Sequence, residues 1–198
     1  TSLWLDYVKD VLSGEQVAGK YIKLLVRNFA DEYPTKGRWT FDVEEAERFI
    51  RFIQDYTRHT RGSWAGKPFL LSPWQQFLIA NLFGWMDEDG VRRYRTAYVY
   101  VGRKSGKSQL AAGIAMAMAT LDGDGAGEYV FAATTRAQAR IVFDEVQRSI
   151  RKAPDALKKR FSVRRQDIWG PNDSTIKPVS SDANTLDGLS LNLGVVDE

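Results

Sequence analysis

The sequence contains no cysteine and a single histidine, His59. The absence of cysteine excludes structural disulfides and cysteine-ligated metal sites, and one histidine argues against a histidine metal centre or a serine–histidine catalytic triad. No run of about 18 apolar residues occurs, and the first residues do not resemble a signal peptide. We therefore expect a soluble intracellular protein that has no membrane partner.

Neither sign of charge predominates, because 28 basic and 25 acidic residues leave a net charge of +3. This balance permits a polyanionic partner such as DNA without demanding one. The 198 residues, of which 43% are hydrophobic, are enough to bury a substantial core. We expect an α/β protein with an N-terminal helical segment over residues 1–66 and a larger domain over residues 67–198.

Local signals predict the elements of the first half of the chain. Apolar residues at helical spacing predict three N-terminal helices, over residues 3–12, 17–29 and 43–56. Ser72 and Pro73 predict a helix from Pro73 to Gly84, because serine caps helix N-termini and proline suits the first helical position. Residues 87–90 are a predicted hairpin turn, which leads into a predicted strand over residues 93–101.

Helices and strands alternate in the second half. Helices are predicted over residues 107–121 and 136–151, and a short buried strand over residues 128–133. Short strand-like pieces with a turn at residues 170–173 precede a final apolar run from Leu191. The order strand, helix, strand, helix predicts a mainly parallel central sheet flanked by helices.

The sequence from Val101 to Ser108 reads as a phosphate-binding loop between a strand and a helix. In such a loop, backbone N–H groups and the positive end of the helix hold nucleotide phosphates, a lysine reaches the terminal ones and a hydroxyl binds Mg²⁺. Lys107 and Ser108 occupy those two positions. The strict pattern places glycine where Val101 stands, and a basic surface turn is the alternative. The other candidate nucleotide-binding residues of this loop are Gly102, Arg103, Lys104, Ser105 and Gly106.

The last apolar run ends in two acids, Asp197 and Glu198. A buried strand that ends there would deliver both carboxylates to the sheet edge at which ligands bind in open α/β sheets. We expect Asp197 to support Mg²⁺ together with Ser108, and Glu198 to polarise the attacking water. An ordinary charged strand end is the alternative. Asp182 and Asp187 form either a polar loop on the nucleotide side or a plain turn.

Further residues have the chemistry that a nucleotide needs. Arg103 and Lys104 lie inside the loop, and Arg136 and Arg140 follow the strand over residues 128–133. Any of these cations could stabilise charge that develops on the γ-phosphate, in the same subunit or in a neighbour. A glutamine amide can pair with an adenine edge while an aromatic ring stacks on the base, which makes Trp74 and Gln75 candidates. The alternative is that Trp74 packs into the core at a helix start.

These motifs together resemble the ATPase region of the large terminase subunits of tailed bacteriophages. The resemblance covers residues 67–198. Its segments occur in the family's order, at residues 71–75, 101–108, 132–139, 180–188 and 195–198. In this family the loop often lacks the first glycine and carries Arg or Lys before Gly-Lys-Ser, so Val101 fits the family.

The resemblance implies an ASCE-type P-loop NTPase fold and a motor that packages viral double-stranded DNA. Such a motor uses ATP and Mg²⁺, and it assembles as a ring on the portal protein of the procapsid in the host cytoplasm. The small terminase subunit presents the DNA, and the motor is not a virion component after packaging.

The resemblance also assigns roles to individual residues. Gln75 would contact adenine, and the loop residues 106–108 would hold the phosphates and Mg²⁺. Arg103 would sense or stabilise the γ-phosphate, and Arg136 and Arg140 match the region from which a neighbour's arginine finger comes. Asp197 and Glu198 would be the Walker B pair.

Family members continue into a coupling motif and a nuclease domain that cuts DNA. We therefore expect these 198 residues to be part of a longer polypeptide. Two other functions stay open, a helicase-like DNA-dependent ATPase and a non-catalytic nucleotide-binding assembly module. The presence of both Lys107 and Glu198 argues against the non-catalytic module.

Overall fold

The computed structural model describes residues 2–123, 125–180 and 190–196. The chain divides into two compact units, one formed by Thr1–Arg51 with Leu70–Tyr100 and the other by Phe52–Phe69 with Val101–Glu198. The expected division after residue 66 remains a prediction. No helix in the described part of the chain is both long enough and apolar enough to cross a membrane.

The first unit combines helices with a small antiparallel sheet in the order β1-β2-β3. Its elements are α1 (Leu3–Ser13), α2 (Lys20–Glu32), β1 (Thr35–Lys36), β2 (Trp39–Phe41), the first part of α3 (Val43–Tyr56), α4 (Pro73–Gly84) and β3 (Trp85–Met86). Aromatic side chains form the core, because the ring of Phe29 lies 5.3 Å from Phe41 and 5.5 Å from Phe77. Trp4 and Trp85 complete this cluster.

The second unit is an α/β layer structure. It contains the end of α3, α5 (Lys107–Leu121), β4 (Glu128–Ala133), α6 (Arg136–Lys152), α7 (Asp155–Lys158), β5 (Ser162–Val163), β6 (Ile168–Trp169), β7 (Thr175–Ser180) and β8 (Leu191–Val196). Helix α6 packs on β4 and β7, while α5 contacts α6 and β8. Tyr129 and Phe131 of β4 are fully buried with Phe143 and Ile150 of α6. This layer therefore has its own hydrophobic core.

The five-stranded sheet has the order β5-β6-β7-β4-β8, and it is mixed. Strand β4 pairs in parallel with β7 and with β8, whereas β5–β6 and β6–β7 are antiparallel pairs. The expectation of a mainly parallel sheet is therefore wrong. The physical reason is the tight turn through Pro171–Asp173 between β6 and β7. A turn that short can join only antiparallel neighbours, since a parallel pair needs a crossover of about a dozen residues.

The predicted strand over residues 93–101 is also wrong. None of residues 93–101 lies in a strand, and the preceding Arg92 forms an isolated bridge to Met86. The side chains of Tyr98 and Tyr100 are 89% and 88% exposed, and Val99 between them is exposed as well. A run of β-branched and aromatic residues becomes a strand only when one face is buried against neighbours. Neither face of this segment is buried within the described residues.

All six predicted helices are present, but the second begins after Gly19 and runs over Lys20–Glu32, three residues later than the predicted 17–29. Helices α3, α4 and α5 have the expected bounds, and α6 extends one residue further. Strand β4 also has its expected bounds. The predicted turn at residues 87–90 is present, with the N–H of Gly90 donating to the carbonyl of Asp87 at 3.0 Å.

Candidate nucleotide-binding site

The loop before α5 has the backbone geometry of an anion-binding nest. Lys104 and Gly106 have positive φ angles of 66° and 78°, whereas Ser105 and Lys107 do not. Alternation of left-handed and right-handed backbone turns successive N–H groups towards one side, which makes a concave anion site. Glycine adopts a positive φ freely, but a lysine in this region costs on the order of 1 kcal/mol. The loop therefore holds Lys104 in an unfavourable backbone conformation, whose cost other contacts must offset.

Side chains inside the loop close it on itself. The hydroxyl of Ser105 donates to the carbonyl of Gly102 at 2.8 Å. The Nζ of Lys107 lies 3.5 Å from the carbonyl oxygen of Val101, so this half-buried side chain turns back across the loop. The first helical hydrogen bond joins the N–H of Leu110 to the carbonyl of Gly106 at 2.9 Å. The N–H groups before it have no acceptor within the helix, and the helix dipole adds positive potential there.

The predicted cations of the loop are accessible. Arg103 and Lys104 are exposed, and neither makes an ion pair with any described residue. Gly102 is exposed beside them. Arg103 and Lys104 therefore place two accessible positive charges on the loop.

The parallel strands bring their carboxyl ends to one edge of the sheet. Ala133 at the end of β4 pairs with Ser180 at the end of β7, and Ala132 pairs with Val196 at the end of β8. In open α/β sheets this edge is where ligands bind. The predicted residues Asp182, Asp187, Asp197 and Glu198 lie outside the described residues, so their roles stay predictions. Among the described residues, no group of three or more His, Asp or Glu side chains could hold a metal ion.

The structure separates the two arginines that follow β4. Helix α6 starts after Thr135, whose hydroxyl accepts from the N–H of Gln138 at 3.2 Å. Arg136 in its first turn is exposed and makes no hydrogen bond or ion pair with a described residue. Arg140 instead donates to the carbonyl of Arg165 at 3.1 Å and lies 3.5 Å from the Asp144 carboxylate. Of the two, only Arg136 is available to another molecule without first breaking contacts.

Gln75 and Trp74 lie in the first unit, whereas the loop lies in the second. Gln75 is only 5% exposed, and its Oε1 accepts hydrogen bonds from the N–H of Ser72 at 2.9 Å and from the Ser72 hydroxyl at 3.0 Å. This is a capping box at the start of α4. Trp74 is half-buried. The amide oxygen of Gln75 thus has a structural role, and the predicted adenine contact stays a prediction.

Sequence reasoning missed a set of polar contacts to the first turn of α5. The Nε2 of Gln109, the residue after Ser108, donates to the carbonyl oxygen of Arg58 at 2.8 Å. The N–H of the same Arg58 donates to the hydroxyl of Ser149 at 3.2 Å. The one feature of the sequence that could have indicated these contacts is a pair of polar residues, Glu145 and Ser149, four residues apart on the apolar face of α6.

Comparison with known proteins identifies the family. The family model for the terminase large subunit, ATPase domain, matches residues 73–198. The chain belongs to this family. The terminase large subunit of Enterobacteria phage HK97 is 29% identical over 162 residues, which cover 79% of this chain and 31% of that protein. The terminase large subunit of Lactococcus phage SK1 is 26% identical over 192 residues, which cover 92% of this chain and 34% of that protein.

A solved structure agrees with this assignment. The crystal structure of the HK97 bacteriophage large terminase is similar with a TM-score of 0.64 and 27% identity, over 77% of this chain and 31% of that chain. The chain spans about a third of the length of these terminase relatives. The resemblance inferred from the sequence motifs is confirmed, and the fold is of the same α/β type.

Proposed function

We propose that this chain hydrolyses ATP and that the protein uses this reaction to drive viral double-stranded DNA into a procapsid. The observation that carries the proposal is the nest at Lys104 and Gly106 at the start of α5, with the Lys107 side chain turned back across it. The loop belongs to a chain of the terminase large subunit ATPase family. A chain of backbone N–H groups with one lysine fits the triphosphate of a nucleotide.

The residues divide the chemistry of hydrolysis between them. The loop N–H groups hold the phosphates, and the Lys107 ammonium offsets charge on the terminal ones as the bond to the leaving group loosens. Ser108 and Asp197 would hold Mg²⁺, which neutralises phosphate charge when it is bound. Glu198 accepts a proton from the attacking water. Gln75, with Trp74 beside it, would recognise adenine.

We assign the nucleotide core to the ASCE type of P-loop fold. The support is the parallel trio β7-β4-β8, whose carboxyl ends share one edge, and the helix α5 that begins directly after the loop. Strand β8 leads directly into Asp197 and Glu198 in the sequence. The proposed Walker B acids would then follow the strand that pairs with β4.

A ring of subunits explains the spare arginines. Arg103, exposed in the loop, would stabilise the γ-phosphate of its own subunit. Arg136 is exposed and unpaired among the described residues, which favours it over Arg140 as the group that reaches a neighbour's nucleotide. The partners we propose for this ring are double-stranded viral DNA, the portal protein and the small terminase subunit. Its place is the portal vertex of the procapsid in the host cytoplasm.

Two substitutions test the hydrolytic site. Lys107→Ala should abolish ATP binding or hydrolysis, because it removes the ammonium that offsets charge on the terminal phosphates. Glu198→Gln should keep ATP binding and block turnover, because an amide cannot accept the water's proton. Binding of a fluorescent ATP analogue and phosphate release are measured in parallel on the unsubstituted protein and on each variant.

The matched controls are Lys152→Ala and Glu88→Gln, which change exposed residues of the same types far along the chain. Both controls should keep full activity. Hydrolysis at the unsubstituted rate in Lys107→Ala or Glu198→Gln would contradict the site assignment. ATP binding without turnover in the unsubstituted protein would instead favour the non-catalytic assembly module.

A further inference from the structure

Residues 57–69, here called the strap, fold back on themselves after α3. The N–H of Phe69 donates to the carbonyl of Thr57 at 3.0 Å, and the N–H of His59 donates to the carbonyl of Lys67 at 2.9 Å. Arg58 and Pro68 form an antiparallel bridge between these two bonds. The strap therefore has a defined backbone, although most of it lies outside regular helices and strands.

The backbone of one strap residue joins two helices. The carbonyl oxygen of Arg58 accepts from Nε2 of Gln109 in the first turn of α5 at 2.8 Å. Its N–H donates to the hydroxyl of Ser149 on α6 at 3.2 Å, and Ser149 is completely buried. The first turn of α5 is thus linked to α6 by two hydrogen bonds in series through a single residue.

A second contact holds the strap on the same face of α6. The hydroxyl of Thr60 donates to the carboxylate of Glu145. Glu145 is buried, and it also lies 3.4 Å from a guanidinium nitrogen of Arg148. Because Glu145 and Ser149 are four residues apart, they lie on one face of α6. Two successive turns of α6 therefore hold the strap in place. As a result, the carbonyl group of Arg58 has a fixed position from which it accepts the hydrogen bond of Gln109.

We propose that Gln109 is a positioning residue for the phosphate loop. It follows directly after Lys107 and Ser108 and ties the first turn of α5, through Arg58, to α6. The first turn of a helix lacks part of its hydrogen bonding and tends to fray. A fixed anchor at Gln109 keeps the N–H groups and the two site side chains in the geometry that a triphosphate needs, before the nucleotide arrives. This role rests on the proposed ATP site.

The test compares Gln109→Met and Ser149→Ala with the unsubstituted protein. Met keeps the length of Gln but cannot donate, so it removes the bond to Arg58. The loss of one such hydrogen bond corresponds to about 2- to 10-fold in an equilibrium. We expect KM for ATP to rise by about that factor in each variant, with kcat changed less than KM. The double variant should be no worse than the more affected single variant, because both bonds act in series.

A matched control separates positioning from general loss of structure. Nε2 of Gln147 on α6 donates to the carbonyl of Arg164, at 2.5 Å, and contributes the same kind of bond away from the loop. Gln147→Met should lower the unfolding midpoint in urea without changing KM for ATP. An unchanged KM in Gln109→Met, or an equal rise in Gln147→Met, would overturn the positioning role.

A readout without catalysis distinguishes this proposal from the proposed function. Amide hydrogen exchange of Leu110, whose N–H donates to the carbonyl of Gly106, is measured in the nucleotide-free protein, where Gln109→Met should speed exchange several-fold and Gln147→Met should not. If Gln109→Met speeds exchange but the protein does not hydrolyse ATP, the proposed ATPase function is refuted and the positioning role of Gln109 is supported. Unchanged exchange in a protein that hydrolyses ATP would refute the anchor alone.

Discussion

Replacement of Gly113 by alanine tests how closely α5 approaches the end of α3. A Cβ added at Gly113 would lie 2.9 Å from Cγ2 of Ile53 and 3.1 Å from Oγ1 of Thr57. Both neighbours are completely buried. Both are also β-branched, and their χ1 angles are stiff, so neither can rotate away at low cost. Glycine is therefore required here by the close approach and not by a positive φ.

Two opposing terms set the expected size of the effect. Alanine is about 1 kcal/mol better than glycine in a helix interior. Overpacking a well-packed core costs about 1–3 kcal/mol. Their difference predicts that Gly113→Ala destabilises the protein by about 1 kcal/mol. At a helix position with open space, the same change would stabilise by about 1 kcal/mol, so the sign of the change is diagnostic.

Urea unfolding of the single and double variants measures this. Ile53→Ala alone should cost about 2–5 kcal/mol because it opens a cavity. In the Ile53→Ala background, the added methyl at Gly113 enters that cavity, so the double variant should be less destabilised than the sum of the singles by at least about 0.5 kcal/mol. A stabilising Gly113→Ala, or strict additivity with Ile53→Ala, would refute the close approach.

The Nζ of Lys177 lies 2.7 Å from Oε1 of Glu128 and lowers the pKa of that carboxyl. The ion pair therefore stabilises the folded protein above the unfolded pKa of about 4.3. This stabilisation is lost as pH falls through the lower folded pKa. Glu128→Gln should therefore flatten the acid limb of a pH–stability curve, and an unchanged limb would contradict the ion pair. Thr135→Ala removes the cap of α6 and should lower the free energy of unfolding in urea by about 1 kcal/mol, whereas an unchanged value would mean that the cap contributes nothing. Arg136→Ala should reduce ATP hydrolysis at high protein concentration at least about 10-fold and Arg140→Ala by much less, and the reverse order in phosphate-release assays would exchange their roles.

The helices could be predicted because their signals are local. Ser72 with Pro73 marks the start of α4, and the structure forms the capping box that this pair allows. Gly106 is the N-cap of α5 and has a left-handed backbone conformation. Glycine adopts that conformation readily because it has no Cβ. Each signal acts within one or two turns of its own helix. For this reason the predicted bounds of α4 and α5 agree with the structure.

The errors concern strands, because strand pairing is not local. The segment at residues 93–101 has the composition of a strand, but composition does not supply a partner, and Tyr98 and Tyr100 remain exposed. The mixed sheet has the same origin. The turn at residues 170–173 was predicted. It makes the sheet mixed only because the two strands that flank it pair with each other, and the sequence does not show that pairing.

The candidate site could be proposed from the sequence only where its residues lie in one short segment, and the roles of those residues remain predictions. The loop from Val101 to Ser108 meets that condition, and the structure gives it a nest. Gln109 does not, because its partner lies 51 residues earlier in the chain and offers a backbone carbonyl. Every residue type has a backbone carbonyl that can accept a hydrogen bond. The identity of Arg58 in the sequence therefore does not indicate its contact with Gln109.

The same reasoning explains why the strap, and not the loop alone, should decide how well ATP binds. A motif can specify which atoms meet a phosphate, but the free energy of binding depends on how much order those atoms must gain when they meet it. The loop holds Lys104 in an unfavourable backbone region, so without an external anchor it would relax towards other conformations. The hydrogen bond that Arg58 accepts from Gln109 and the one that it donates to Ser149 supply that anchor from α6. A chain with the intact motif but without Gln109 should therefore still recognise ATP, and should bind it more weakly.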